Sequence, residues 1–508
     1  MIIHAPRAPG AVRRRVLSLA AALTGTVALT AAQLPAPPPA PAGAGDRLFP
    51  HLGNPGYDVL GYHLDLGYGG DNTRPLTGRT SLVARAEATL ERFNLDFAGG
   101  RVRSVTVDGA PAAFATAGED LVIDPAEPPA GGTTFRVTVE HTSPTEGAGT
   151  AWIRTSEGDG GLVTAAQPDA AHRVFPANDH PSDKALFSFR ISAPQGVTAV
   201  ANGVPAGRTP GPAPGQVTWS YRTLHPMAPE LVQIALGDLD VVHRDTAAPV
   251  ALRDVVPSAD REALEPWLSR TPGHLRWLEE RLGGYPFGNY GVLVADAVFP
   301  FALETQTLSL FPRFLFLAGQ GRVADWQREE IMVHELAHQW FGNSVTPAEW
   351  SDLWLSESHA TWYEWTWAAE HGGPALEERV RAAYEHSDRW RAEAGPVAAP
   401  HGPDGEEPPD IFHPVVYDGG AVVLYALRER IGAAAFERLQ RQWVARHRDG
   451  TAGTADFIAL AGQVSGQELD GFLTAWLYGE RTPAMPGHPG WRPAPRGSGG
   501  GSGGGETA

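Results

Sequence analysis

The sequence predicts an α+β protein of two domains: a β-rich, sandwich-like unit over residues 46–252 and a mainly helical unit over 253–485. Three observations predict it. Short runs of alternating apolar and polar residues, separated by turn signals, fill the first half. Beyond about Arg253 the apolar residues recur with the period of amphipathic helices. In that second half lies His334-Glu335-Leu336-Ala337-His338, followed nineteen positions after the second histidine by Glu357.

In chain order, residues 1–32 read as a secretory signal. Arg7 and Arg13-Arg14-Arg15 make a basic start, Val16 to Leu29 an apolar run, and Thr30-Ala31-Ala32 a small-residue cleavage point. A secreted, extracellular bacterial protein is expected. The arginines fit the general secretory and the twin-arginine routes alike, and an apolar run of this length also admits an uncleaved anchor. Residues 33–45 form a Pro/Ala-rich linker expected to stay extended and unpacked.

The strand signals follow. Tyr62-His63-Leu64-Asp65-Leu66 alternates, as does Phe135-Arg136-Val137-Thr138-Val139, and Val102 to Val107 runs into an Asp108-Gly109 turn. Helices are expected over Arg261 to Leu282, from Asp325 to a stop at Gly342-Asn343, and over Trp350 to His371, closed by Gly372-Gly373-Pro374. Two more cover Ala421 to Ile431 and Ala434 to His447. Residues 486–508 are expected to form a flexible Gly/Ser-rich tail.

The histidine motif carries the chemistry. Residues four apart on a helix share one face, so His334 and His338 can grip one metal ion together. Glu335 can then reach a water at that metal. A third ligand, Glu357, from the next helix would leave a coordination position open, as a catalytic zinc site requires. One zinc ion is therefore the expected cofactor.

Composition narrows the partners. The formal charge is −18, and removal of residues 1–32 would take away four arginines and no acid, giving −22. Such acidity argues against nucleic acid and against stable association with anionic membranes. There is no cysteine, which excludes disulfides, thiolate ligands and a cysteine-linked lipid anchor. Lys184 is the only lysine.

The motif continues as Gln339-Trp340-Phe341-Gly342-Asn343-Ser344-Val345-Thr346 and then Trp354-Leu355-Ser356-Glu357. In this it closely resembles the aminopeptidase N family of zinc metallopeptidases. The likeness extends to Phe175 through Lys184, to Val415-Val416-Tyr417-Asp418-Gly419-Gly420-Ala421, and to Thr454-Ala455-Asp456-Phe457 with Ala475-Trp476-Leu477. The resemblance implies a β-domain followed by a thermolysin-like catalytic domain. It implies Glu335 as general base and Tyr417 as hydrogen-bond donor to the oxyanion. Phe301-Ala302-Leu303-Glu304-Thr305 matches the family's substrate-binding segment. Ala302 and Glu304 are thereby candidate binding residues, and Gln167 is the second candidate for gripping a free α-ammonium. Peptides with a free N-terminus are the implied substrates. Larger members append a helical C-terminal domain that this chain would lack, so a more open cleft is expected; oligomeric state is not indicated.

The chain departs from the family pattern at Phe301, Ser356, Ser358, His359 and Gly419. His359, two residues from Glu357, is turned nearly to the opposite side of its helix and is expected to pack rather than to ligate. Two other functions fit parts of the same residue pattern. An endopeptidase would use the cleft without an amine anchor, and a silent zinc-bound binding module would need neither Glu335 nor Tyr417.

Overall fold

The computed structural model describes residues 43–147, 149–155, 160–244, 250–318, 324–403 and 409–494. The signal expected at 1–32 lies outside the described residues, as do 33–42 of the linker and 495–508 of the tail. Among the described residues no helix is long and apolar enough to cross a membrane.

Alternation of burial builds the first unit. In the strand Tyr57–Gly67 the side chains of Tyr62, Leu64 and Leu66 are buried while His63 and Asp65 turn outward, as the two-residue strand period dictates. This strand sits inside an eight-stranded sheet, between Leu186–Pro194, its parallel neighbour, and antiparallel Leu76–Ala86. Thr134–Ser143 and Val102–Val107 extend the sheet beyond Leu76–Ala86. A four-stranded sheet containing Leu162–Thr164 and a three-stranded sheet containing Phe93–Asp96 complete the unit.

The second unit is helical around a five-stranded sheet. Its helices are α1 Arg261–Leu268, α2 Thr271–Leu282, α3 Arg313–Leu317, α4 Asp325–Ala337, α5 Trp354–Glu370, α6 Leu376–Ala394, α7 Asp418–Ile431, α8 Ala433–Arg446, α9 Thr454–Ser465 and α10 Asp470–Tyr478. The sheet joins the units. Val255, Leu293 and Leu310 pack into the β-unit's core, whereas Leu252, Val256, Val292, Val294 and Phe311 pack among the helices. One sheet thus has both faces in apolar cores, which explains why its strands read as continuous apolar runs.

Several elements differ from expectation. The single helix expected over Arg261 to Leu282 is two helices. Ser269 and Arg270 bond back to Glu265 and Trp267, and Pro272, with no N–H to donate, opens the second. The helix expected from Trp350 begins at Trp354, after a 3₁₀ turn over Trp350–Asp352 held by Asp46 Oδ2 on the Trp350 N–H at 2.7 Å. The sheet of the second unit reaches back before residue 252, because Leu239–Arg244 pairs antiparallel with Ala251–Pro257. Neither flanking segment is wholly loose: Ala44 N–H bonds Leu52 O at 2.9 Å, Trp491 stacks on Tyr425, and Ala494 N–H bonds Glu385 O at 2.8 Å. Within the segment expected as a tail, residues 491–494 are held by these contacts.

Candidate active site

Helix α4 begins at Asp325, with the Ala324 N–H bonded to Gln327 Oε1 at 2.9 Å. The helix ends at Ala337, short of the stop expected at Gly342-Asn343. Its last turn tightens, since Gln339 N–H bonds Leu336 O and Trp340 N–H bonds Ala337 O. His338 keeps a helical backbone and its N–H still reaches His334 O at 3.3 Å, so both histidines share one face. They point at the first turn of α5, where Glu357 is buried.

There the two imidazoles converge on one carboxylate oxygen. Glu357 Oε2 lies 3.4 Å from His334 Nε2 and 3.2 Å from His338 Nε2. Zinc–nitrogen bonds of about 2.0–2.1 Å in tetrahedral geometry place neighbouring ligand atoms ~3.3 Å apart. The donor set therefore fits a zinc ion, and His334, His338 and Glu357 could hold it. The electrostatics agree. Burial opposes charging of His334, yet Glu357 and Glu364 overcome it and raise the imidazole to about 10. Burial likewise opposes ionisation of Glu357, and His338 and His334 more than offset it, holding the carboxyl well below its ordinary range. In each case a proton stands where a metal cation would.

The far side of each histidine is fixed as well. His334 Nδ1 donates to Glu364 Oε2 at 2.9 Å, and His338 Nδ1 lies 2.9 Å from Ser356 Oγ and 3.1 Å from Phe341 O. With Nδ1 beside a carboxylate or a carbonyl, Nε2 is left to face the metal. His359 is buried two residues from Glu357. Its Nδ1 bonds Leu355 O at 2.8 Å, its ring stacks on Phe341, and burial lowers it to about 3. It packs as a neutral ring, outside the ligand set.

Glu335 and Tyr417 face the same space. Burial pushes the Glu335 carboxyl up to about 7, against the pull of His334 and His338. Tyr417 caps the start of α7 and lies parallel to His334 at 6.2 Å between ring centroids. Ser358 ties down the residue before it: Ser358 Oγ donates to Val416 O at 2.6 Å, and a Cβ on Gly420 would lie only 1.6 Å from the serine Oγ. The serine and the glycine therefore fit as a pair where α5 meets α7. Gly419 has room for a side chain, whose Cβ would meet Val415 at 3.4 Å.

The third wall comes from residues 300–304. Leu303 exchanges both backbone hydrogen bonds with Leu310, at 2.9 and 2.8 Å, which sets this segment along the sheet edge. Glu304 is buried, and Gln167 Nε2, arriving from the β-unit, donates to its Oε1 at 2.6 Å. The eight residues singled out in the sequence, Gln167, Ala302, Glu304, His334, Glu335, His338, Glu357 and Tyr417, all line one cleft with about 710 Å³ of empty space. Phe301 stands in its wall, with Phe412 also lining the cleft.

Sequence reasoning gave no role to Glu364, Gln339, Asn343 or Phe412. Glu364 had a signal, because seven residues after Glu357 is two turns along the same helix face. Gln339 and Asn343 donate to Glu304 O at 3.1 and 2.6 Å, a long-range pairing that no local pattern announces.

Comparison with known proteins agrees with this geometry. Residues 268–476 match the peptidase family M1 domain, and residues 78–229 match the peptidase M1 N-terminal domain. Aminopeptidase N of Streptomyces lividans is 26% identical over 328 residues, covering 62% of this chain and 38% of that protein. The chain spans between 38% and 53% of the length of the first three curated relatives it matches. The M1 zinc metallopeptidase of Deinococcus radiodurans superposes with a TM-score of 0.74 at 27% identity, covering 87% of this chain and 99% of that one. A mutant of that enzyme bound to a Tyr-Ser-Ala substrate superposes with a TM-score of 0.75 at 27% identity, with the same coverage. A β-unit and a helical unit that each match their M1 counterpart, joined around a His-His-Glu cluster, place this chain in the M1 family of peptidases.

Proposed function

We propose that this chain is a zinc-dependent aminopeptidase that hydrolyses the first peptide bond of peptides with a free N-terminus. The observation that carries the reading is the Gln167–Glu304 pair. It sets a carboxylate and an amide oxygen from two different units beside the metal ligands, in the same cleft. An α-ammonium is a compact donor of three hydrogen bonds, and such a corner satisfies it, while a blocked terminus would leave the Glu304 carboxylate with the neutral Gln167 amide and no cation.

One zinc ion per chain, on His334, His338 and Glu357, would polarise the scissile carbonyl and acidify a water. Glu335 takes a proton from the attacking water and returns one to the leaving amine, and a carboxyl near neutrality suits both directions. Tyr417 keeps its phenolic proton, because burial and then the nearby Glu357 and Glu304 raise it well above the ordinary range. It can therefore donate to the oxyanion of the tetrahedral adduct. The apolar side chains of Phe301, Ala302 and Phe412 line the cleft beside the reacting groups. The segment at 1–32 supports a secreted enzyme.

The test is hydrolysis of a panel of aminoacyl chromogenic substrates beside N-acetylated peptides, before and after chelation and zinc restoration. Chelator-sensitive release from free amines alone is the expected result. Cleavage of blocked peptides at equal rates would replace this reading with an endopeptidase. Zinc binding without turnover, unchanged by Glu335→Gln, would indicate a binding module.

A further inference from the structure

The sole lysine of the chain, Lys184, is half-buried between the two units. Its Nζ donates to Asn343 O at 2.9 Å, Ser344 O at 3.0 Å and Gly450 O at 3.2 Å. Three acceptors match the three donors of an ammonium. All three belong to the helical unit, while Lys184 belongs to the β-unit. Among the described residues no carboxylate bonds it directly; the charges of Asp449 and Glu230 favour the ammonium, and burial outweighs them, lowering it to about 7. Holding an ammonium on neutral carbonyls alone is an expensive way to join two domains.

The carbonyls it holds lead into the active site. Asn343 and Ser344 follow the last turn of the metal helix, with their N–H groups bonded to His338 O and Gln339 O. The side chain of Asn343 donates to Glu304 O at 2.6 Å, and Gln339 supports the same oxygen at 3.1 Å. Glu304 in turn meets Gln167 at 2.6 Å. A closed circuit of hydrogen bonds therefore leaves the β-unit at Lys184, passes through Asn343 and Glu304, and re-enters it at Gln167.

We propose that Lys184 is a positioning residue for the amine-binding corner, fixing Glu304 against Gln167 through the Asn343 peptide and side chain. The inference rests on the aminopeptidase reading above. It also has a distinguishing sign. Loss of a positive charge near Glu304 would by itself favour a bound ammonium. Loss of positioning would weaken ammonium binding instead.

The experiment compares two zinc-chelating inhibitors, leucine hydroxamate and its counterpart lacking the amine, 4-methylpentanohydroxamate, on full-length zinc-loaded enzyme. Lys184→Met is expected to weaken leucine hydroxamate by about tenfold, the scale of one charge-assisted hydrogen bond, and the amine-free inhibitor by less than about twofold. Lys184→Arg is expected to restore part of the difference. Asn343→Ser cuts the same circuit without removing the lysine and is expected to lower the inhibitor ratio likewise, so it decides the matter if Lys184→Met does not fold. An unchanged ratio in the folded variants, or equal weakening of both inhibitors, would overturn the proposal. A wild type that does not distinguish the two inhibitors would instead remove the amine anchor itself, and the role of Lys184 with it.

Discussion

Glu364 accepts the Nδ1 proton of His334 at 2.9 Å, two helical turns beyond the metal-facing Glu357 on α5. One helix therefore supplies both a ligand and the carboxylate that aims another ligand. Arg379 lies 3.8 Å from the other Glu364 oxygen and bonds Glu330 at 2.6 Å, so the carboxylate is held on both sides. Glu364→Ala frees the imidazole to rotate and removes the partner that fixes its tautomer. Zinc affinity is expected to fall by about 10–100-fold. Competition against a fluorescent zinc chelator measures it. Activity should return at saturating zinc, which separates lost affinity from lost chemistry.

The same pair shows where sequence reading stops. The ligands were legible because helix geometry converts a spacing of four residues into one face. Glu335 and the strand alternation of Tyr57–Gly67 were legible for related reasons: local period fixes direction. Glu304 and Gln167 lie 137 positions apart and meet only because two units dock, and they were named from family resemblance alone. The Gln339 and Asn343 contacts to Glu304 O were not legible, since a backbone carbonyl leaves no trace in the sequence. The break between α1 and α2 was signalled by Pro272, but a continuous apolar period masked it.

Removing the hydroxyl of Tyr417 tests the oxyanion role without disturbing the fold. The ring of Tyr417 lies parallel to His334, and Phe keeps that packing. Tyr417→Phe is expected to lower kcat by about 10²–10³ with zinc content unchanged. KM should move little, because the bond forms only as charge develops on the oxygen. Steady-state kinetics beside metal analysis checks both halves.

Metal removal should be visible in stability as well as in activity. The three ligands are buried, and Glu357 Oε2, 3.4 and 3.2 Å from the two imidazoles, has no hydrogen-bond partner of good geometry among the described residues. Zinc binds the folded chain and not the unfolded one, so a thousandfold excess over its dissociation constant contributes about 4 kcal/mol. Dialysis against a chelator is expected to lower the melting temperature by about 5–10 °C and to abolish turnover, with both restored by zinc. Glu357→Gln should melt near the metal-free value whether or not zinc is added.

A buried ion pair in the β-unit makes stability depend on pH far from the cleft. His172 Nδ1 donates to Asp179 Oδ2 at 2.7 Å, and the His172 N–H reaches the same oxygen at 3.0 Å. Burial opposes the charge on His172, but Asp179 and then Glu119 overcome it and raise the imidazole from 6.5 to about 10. A folded-state value above the unfolded one means the contribution is complete below pH 6.5 and is lost as pH rises toward 10. Asp96, raised to about 7 by burial and then by Asp179, acts mainly below that window. Lys184, lowered to about 7 by burial, acts inside it with opposite sign but is common to wild type and variant. His172→Gln removes the histidine together with its pull on Asp96 and Glu119, so the difference between the two proteins reports this coupled cluster. Unfolding free energy from urea titration should show His172→Gln destabilised at pH 7, with the gap closing by about 2 kcal/mol at pH 9. A gap that stays constant across that range would mean that His172 is neutral in the folded protein.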